Sequence, residues 1–489
     1  MDKASPVDSL GRGVIHYYAS GHARSRRQSM VKKRYKKPVN VGEVHTIDIT
    51  GLGHAGEGVG RIEGFAIFVP GAIPSDRVLV QIEENKKNHG RGKVLEVVEP
   101  APGRITPKCT VADSCGGCQL QHMDYAEQLR WKRQLVVDGL TRIGKFVDPP
   151  VKSVLGMSEP YYYRNKAQSP VGKVDGRVTM GFYRRGTHAL VPVKKCINIH
   201  PLCNKALGVM GRLLEEHGLV PYDEATHQGL VRHVIFRVSS ARSELMVILV
   251  TNGPSIAEVD QLVDRMKAAL PELVSVAQNI NEERTNVILG DKTRVLWGRP
   301  YLIEELNGLE FAVSPRSFFQ VNSKQAAVLC QQAAFYGQIR QGTRAVDCYC
   351  GTGSIALHLA RDGADVVGIE AVPEAITDAR LNAELNGLKS VDFRVGRVEV
   401  VLPDILQKSA VDVAFLDPPR KGCEPEVLDA IISANIPRLV YVSCNPSSLA
   451  RDLSILAQGG YLLETVQPVD MFPHTSHVEC VVLMSRVEK

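Results

Sequence analysis

The run AVDCYCGTGSIALHLA at 345–360 constrains the fold of this chain more than any other stretch. It reads as an apolar strand, a turn carrying Gly351 and Gly353, and a helix. The glycines let backbone approach a ligand, and the helix behind them offers free N–H groups. Glu370 ends the next apolar run, VVGIE, about twenty residues on. A carboxylate there suits a ribose diol. Strand–helix alternation continues through VDVAFLDPP and RLVYVSCNP, and the chain closes with GYLLETVQPVDMF and HVECVVLMSR. The expectation is an α/β domain, a doubly wound parallel sheet ending in an antiparallel pair, from about Phe311 onward.

The usual third glycine is missing, which disfavours a dinucleotide. The loop is similar instead to the Rossmann-like methyltransferase variant, in which S-adenosylmethionine lies across the strand ends; Val372-Pro373 and the helix AITDARLNAELNG fit that variant. Two other strand ends carry candidate chemistry. Asp417 closes an apolar strand and is followed by two prolines, a rigid turn suited to a planar base. Cys444 in YVSCNPSSLARDL also falls at a strand end, with Asn445-Pro446 as a turn and Ser447-Ser448 as candidate helix caps. A buried packing thiol is the competing reading of Cys444. Cys348, Cys350, Cys423 and Cys480 are further thiols in the same region, with Cys423 the strongest competitor as a nucleophile.

No segment approaches the roughly 18 apolar residues of a membrane helix, and the N-terminus has no apolar signal region, so a cytoplasmic location is expected. Eleven cysteines in such a chain argue for metal, cluster or catalytic use over disulfides. Cys109, Cys115 and Cys118 in CTVADSCGGCQLQHM, with Cys196 in VPVKKCINIHPLC, make four thiolates. Four thiolates suit zinc or an iron–sulfur cluster, and spacing alone leaves both open. Cys203 is read as a spare packing thiol.

Upstream, residues 1–38 include the acid-free run RSRRQSMVKKRYKK, expected to be a disordered basic arm and a phosphate tether. Residues 39–100 read as about five short strands with glycine-rich turns, a small OB-type barrel suited to single-stranded nucleic acid. Residues 101–310 form a mixed α+β central region holding the four cysteines and a long amphipathic helix in MDYAEQLRWKRQLVVDGLTRIG, and 311–489 the α/β domain.

Taken together, SFFQVN, DCYCGTGSIAL, DPPRKGC, YVSCNPSSLARDL and DMFPHTSHVECV resemble the RNA 5-methyluridine (uracil-C5) methyltransferase family. The barrel resembles that family's TRAM domain, and the four cysteines its iron–sulfur motif. The resemblance implies methyl transfer from S-adenosylmethionine to C5 of uridine, with Cys444 as nucleophile and Glu479 of HVEC as base. It implies that Gln320, Tyr349, Glu370 and Asp417 contact the cofactor or target base. It favours a [4Fe–4S] cluster on Cys109, Cys115, Cys118 and Cys196. Transfer-RNA members usually lack barrel and cluster, so the resemblance favours 23S ribosomal RNA as substrate, with the chain acting as a monomer. The alternatives are a transfer-RNA uridine-C5 enzyme, an amino-group RNA methyltransferase that needs neither Cys444 nor Glu479, and a non-catalytic RNA-binding protein.

Overall fold

The computed structural model describes residues 38–487; the basic run at 24–37 lies outside the described residues. The first five strands are β1 (Val44–Leu52), β2 (Gly58–Ile62), β3 (Phe65–Val69), β4 (Arg77–Asn85) and β5 (His89–Glu99). They close into a barrel in the order β1-β2-β3-β5-β4. Alternation explains it: Ile47 and Ile49 of β1 and Val78, Val80 and Ile82 of β4 point inward and are buried.

Helix α1 (Tyr125–Arg142) follows, capped by Asp124, whose side chain accepts from the Ala126 N–H. Its buried stripe is Gln128, Lys132, Val136 and Leu140, every fourth residue, so half of the inward face is polar. The central sheet uses β6 (Lys166–Val174), β7 (Arg177–Tyr183), β8 (Leu190–Pro192), β9 (Val231–Ser239), β10 (Glu244–Thr251), β11 (Leu273–Ile280) and β12 (Lys292–Gly298). Their order is β12-β11-β10-β9-β6-β7-β8. Every residue of β9 is buried, as a strand covered on both faces requires. One covering layer is α2 (Pro201–Glu216) and α3 (Val259–Ala269), which share its apolar core. A hairpin of β13 (Leu302–Leu306) and β14 (Leu309–Val313) spans 310/311, where the sequence suggested a boundary.

The last sheet contains β15 (Arg344–Cys348), β16 (Asp365–Glu370), β17 (Val391–Val395), β18 (Val413–Leu416), β19 (Arg438–Ser443), β20 (Tyr461–Val469) and β21 (Glu479–Arg486). The order is β17-β16-β15-β18-β19-β21-β20. The first five are mutually parallel, and β21 runs antiparallel to β19 and β20. Its helices are α4 (Ser323–Gly337), α5 (Ser354–Arg361), α6 (Pro373–Leu385), α7 (Val398–Lys408), α8 (Pro425–Ser433) and α9 (Pro446–Gln458). The expected doubly wound α/β fold with its antiparallel end is present. One local expectation changes. Asn445, not Ser447-Ser448, caps α9, its side chain accepting from the Ser447 N–H with Pro446 in the first turn. No helix among the described residues is long and apolar enough to cross a membrane.

Candidate active site

The carboxyl ends of β15, β16, β18 and β19 open onto a cavity of about 950 Å³. That is room for a nucleoside-sized cofactor and a base together. After β15 the chain turns through Tyr349 (φ +66°) and Gly351 (φ +56°) before α5. A Cβ at Gly351 would meet nothing within 4 Å, so backbone itself borders the open space. Glu370 ties this loop to the end of β16. Its carboxylate accepts from the Gly351 N–H at 3.2 Å and the Val372 N–H at 2.9 Å. Two of its four lone-pair positions remain for a ligand. Asp347, one residue from the end of β15, accepts from the Ala356 N–H at 2.9 Å through one oxygen. Its other oxygen is buried without a partner. Burial, reinforced by Asp417 and Glu370, pushes this carboxyl well above the usual range.

Asp417 follows β18, and burial raises its carboxyl to about 6. Cys444 follows β19. Its turn is bolted to the double-proline segment, because Asn445 Nδ2 and Ser448 Oγ both donate to the Arg420 carbonyl, at 2.9 and 3.0 Å. The antiparallel register pairs Val442 with Val481 and Ser443 with Cys480. Cys444 and Glu479 are the residues next to that last pair, and Glu479 is among the acids that act on the Cys444 thiol. Glu479 is only 5% exposed. Burial, then Asp417, raises it to about 8, with Arg420 opposing. Burial, then Glu479 and Asp417, raises the Cys444 thiol to about 11, again opposed by Arg420.

All six residues singled out by the motifs therefore line one cavity: Gln320, Tyr349, Glu370, Asp417, Cys444 and Glu479. Cys423 is not among its walls; it is buried, with its thiol 3.6 Å from the Tyr441 hydroxyl. Cys348 and Cys480 are fully buried. Cys350 also reaches the cavity, beside the glycine loop, as does Cys330. Motif reading passed over Asp347, Arg420, Phe318 and Phe472, which also line it.

A second, smaller cavity of about 80 Å³ is lined by Cys109, Cys115, Cys118 and Cys196. All four are free thiols. Amide groups aim at the sulfurs: Asn198 Nδ2 donates to Cys118 Sγ at 3.0 Å and the Gly117 N–H to Cys115 Sγ at 3.4 Å. The Gln121 side chain also hydrogen-bonds Cys118. The opposite ends of both amides, Asn198 Oδ1 and Gln121 Oε1, are buried without partners. Such donors fit sulfur that carries negative charge. Among the described residues no three His, Cys, Asp or Glu side chains are placed to hold one metal ion. Cys203 does not line this cavity.

Fold and cavity define a Rossmann-like domain of the S-adenosylmethionine-dependent methyltransferase type, preceded by a small β-barrel. The family model for tRNA (uracil-5-)-methyltransferases matches residues 260–487, and the TRAM domain model matches 38–95. An RNA methyltransferase of Halalkalibacterium halodurans is 44% identical over 452 residues, 92% of this chain and 99% of that one. One from Listeria monocytogenes is 42% identical over 439 residues, 90% of this chain and 96% of that one. The tRNA (uracil-54, C5)-methyltransferase of Pyrococcus abyssi, solved with S-adenosyl-L-homocysteine, superimposes with a TM-score of 0.72 at 25% identity, covering 90% of this chain and 100% of that one. This chain belongs to the tRNA (uracil-5-)-methyltransferase family of RNA methyltransferases.

Proposed function

We propose that this enzyme transfers a methyl group from S-adenosylmethionine to C5 of a uridine in RNA, with Cys444 as nucleophile and Glu479 as base. The observation that carries it is that Cys444 and Glu479 both line one cavity, each one residue beyond the last β19–β21 pair, Ser443 with Cys480. Bound S-adenosylmethionine supplies an electrophilic methyl on a sulfonium cation. Its binding is assigned to the Gly351 loop, to Glu370 through a ribose diol, and to Gln320, Tyr349 and Asp417 for the cofactor or the target base.

The chemistry needs both reacting groups. The Cys444 thiolate adds to C6, and the C5=C6 pair moves onto C5 and the O4 carbonyl. The C5 pair would then take the methyl group, and the S–CH3 pair would stay on sulfur, so that the neutral thioether leaves. Glu479 removes the C5 proton, that C–H pair re-forms C5=C6, and the C6–S bond breaks to release Cys444. Mechanistic support comes from contrast: an amino-group methyltransferase needs no thiol facing a buried acid. RNA transcribed with 5-fluorouridine tests it. Fluorine cannot leave as a proton, so wild type should give a denaturant-stable, cofactor-dependent RNA–protein band. Its absence would remove Cys444 from the chemistry.

For the cysteine site we propose a [4Fe–4S] cluster held by Cys109, Cys115, Cys118 and Cys196, structural in role since no step above moves an electron. For the substrate, barrel and cysteines together favour 23S ribosomal RNA, read in the cytoplasm. The Pyrococcus abyssi match favours a second reading, transfer RNA. Mass mapping of 5-methyluridine in ribosomal and transfer RNA from a deletion strain decides: the position that loses its methyl group is the target.

A further inference from the structure

Between Val469 and Glu479 the chain forms a loop in which polar residues are buried beside Met471 and Val478: Asp470, His474, Thr475 and Ser476 are each at most 6% exposed. Buried polar backbone persists only where partners satisfy it. Leu155, Tyr163, Asn322 and Gln325 hold Asp470, Met471 and Pro473 through one hydrogen bond or two each, and two further remote segments reach Asp470, Phe472 and His474. From α1, Lys132 Nζ donates to Asp470 Oδ1 at 2.5 Å and to the Phe472 carbonyl at 3.0 Å. Tyr125 donates to the other Asp470 oxygen at 2.8 Å. From the segment just after Cys118, the Gln119 and Leu120 N–H groups both donate to the His474 carbonyl, each at 2.9 Å.

Gln128 joins the two segments. Its carbonyl oxygen accepts from the His474 N–H at 2.9 Å, and its amide nitrogen donates to the Leu120 and Met123 carbonyls at 3.0 and 2.8 Å. The same nitrogen lies 3.2 Å from His474 Nδ1. Tyr161 stacks on the His474 ring at 4.5 Å. His474 itself is left-handed (φ +65°), a conformation that costs a non-glycine residue energy unless its surroundings impose it. The barrel reaches this junction too: a Cβ on Gly56 would lie 2.8 Å from Gln119 Cβ and 3.4 Å from Ser476 Cβ. Cys444 has no share in this network; Asn445 and Ser448 anchor its turn to Arg420.

We propose that the segment following the cysteine loop is a latch for the base: through the His474 carbonyl and the Gln128 side chain it fixes the 470–478 loop that delivers Glu479, so Gln128 and His474 are positioning residues for removal of the C5 proton. This rests on the uracil-C5 reading above. The four thiols gain a role without entering the reaction, since whatever holds Cys118 in place also holds Gln119 and Leu120. Loosening the latch misplaces Glu479 and leaves Cys444 where it was. Addition and methyl transfer then continue while elimination lags.

The test uses the full chain, purified anaerobically, with 23S ribosomal RNA and transfer RNA transcribed in vitro and methyl-labelled S-adenosylmethionine. Gln128→Met keeps the side-chain length and removes every hydrogen bond of the hub; Tyr161→Leu removes only the stack and guards against failure of the first variant to fold. Hydrogen exchange should quicken at least tenfold in 470–479 and stay unchanged in 441–448. The fraction of methyl label held as denaturant-stable adduct should rise at least tenfold in Gln128→Met and by a smaller factor in Tyr161→Leu. Gln128→Glu, which still accepts from the His474 N–H, should recover part of both signals. Wild-type exchange in 470–479 for both Gln128→Met and Tyr161→Leu, or quickened exchange with a wild-type adduct fraction, overturns the latch. If Gln128→Met does not fold, Tyr161→Leu decides by the same two readouts. A wild-type enzyme that forms no adduct on 5-fluorouridine RNA instead overturns the Cys444 chemistry, and hydrogen exchange alone then decides the latch.

Discussion

The two thiol sites of this protein surround sulfur with opposite company. At the small cavity Cys118 faces the amide groups of Asn198 and Gln121, and Cys115 faces the Gly117 N–H. At the large cavity Cys444 faces two acids, Glu479 and Asp417, with Arg420 as the opposing cation. Burial raises both kinds of thiol, Cys118 to about 12 and Cys444 to about 11. Fixed donors suit sulfur that is charged at all times, as in a resident metal centre. Acids beside a thiol suit sulfur that stays neutral until a cation enters the cavity. A sulfonium is such a cation, and an opposite charge nearby favours ionisation of every acid around it. On the function proposed above, one site would hold a permanent thiolate and the other a transient one.

The strongest test of that contrast is removal of each sulfur. Cys444→Ala should cut methyl transfer by a factor on the order of 10⁴ or more, as loss of a nucleophile does, while stability changes by about 1 kcal/mol. Cofactor binding, measured by calorimetry, should persist. Cys423→Ala should keep the 5-fluorouridine adduct, and an adduct in Cys444→Ala but not Cys423→Ala would transfer the role. Cys118→Ala should behave differently: the anaerobically purified protein should lose its iron and sulfide by elemental analysis, and its melting temperature should fall. Stoichiometric zinc without iron in the wild type would sink the cluster.

A smaller effect separates resting from loaded cavity. Glu479 must be ionised to take a proton, and at about 8 it is largely neutral at pH 7 in the ligand-free protein. The value of kcat/KM for S-adenosylmethionine, which reports free-enzyme ionisations, should climb with pH through Glu479 near 8 and again through Cys444 near 11. The inflection in kcat should lie lower, because the bound cation favours the carboxylate. Equal inflections in both profiles would mean that the cation does not govern this acid.

Legibility in the sequence differed between these regions for a physical reason. Gly351, Glu370 and Asp417 sit at ends of apolar runs, where a local period breaks and the eye is drawn to the break. The four cysteines are visible by residue type alone. Gln128 and Lys132 are visible in neither way. In YAEQLRWKRQL they read as an ordinary solvated face, and only Asp470, 338 residues away, makes Lys132 an interior residue. Asp347 left a faint local signal, an acid inside an apolar strand four residues before the glycine of the turn. Arg420, in a turn of charged residues, left none. The choice between Cys423 and Cys444 also lay beyond local pattern, since it depends on which thiol shares the cavity with Glu479.

The smallest expected effect is the most specific to the idea of a waiting site. The folded protein raises Glu479 from 4.5 to about 8. Between those values the folded state keeps a proton that the unfolded chain has released, so stability falls as pH rises through the window. Glu479→Gln carries no such proton. Its melting temperature relative to wild type should therefore increase steadily from pH 4.5 to about 8 and then stop changing, with about 1.4 kcal/mol per unit as the ceiling on the slope. Added S-adenosylmethionine should narrow the difference at the upper end, because a cation in the cavity offsets the cost of a buried carboxylate. Differential scanning calorimetry of both proteins at matched pH, with and without cofactor, measures this directly. A melting difference that is flat with pH would mean that Glu479 is already charged in the empty cavity, and the contrast between a permanent and a transient thiolate would lose its electrostatic basis.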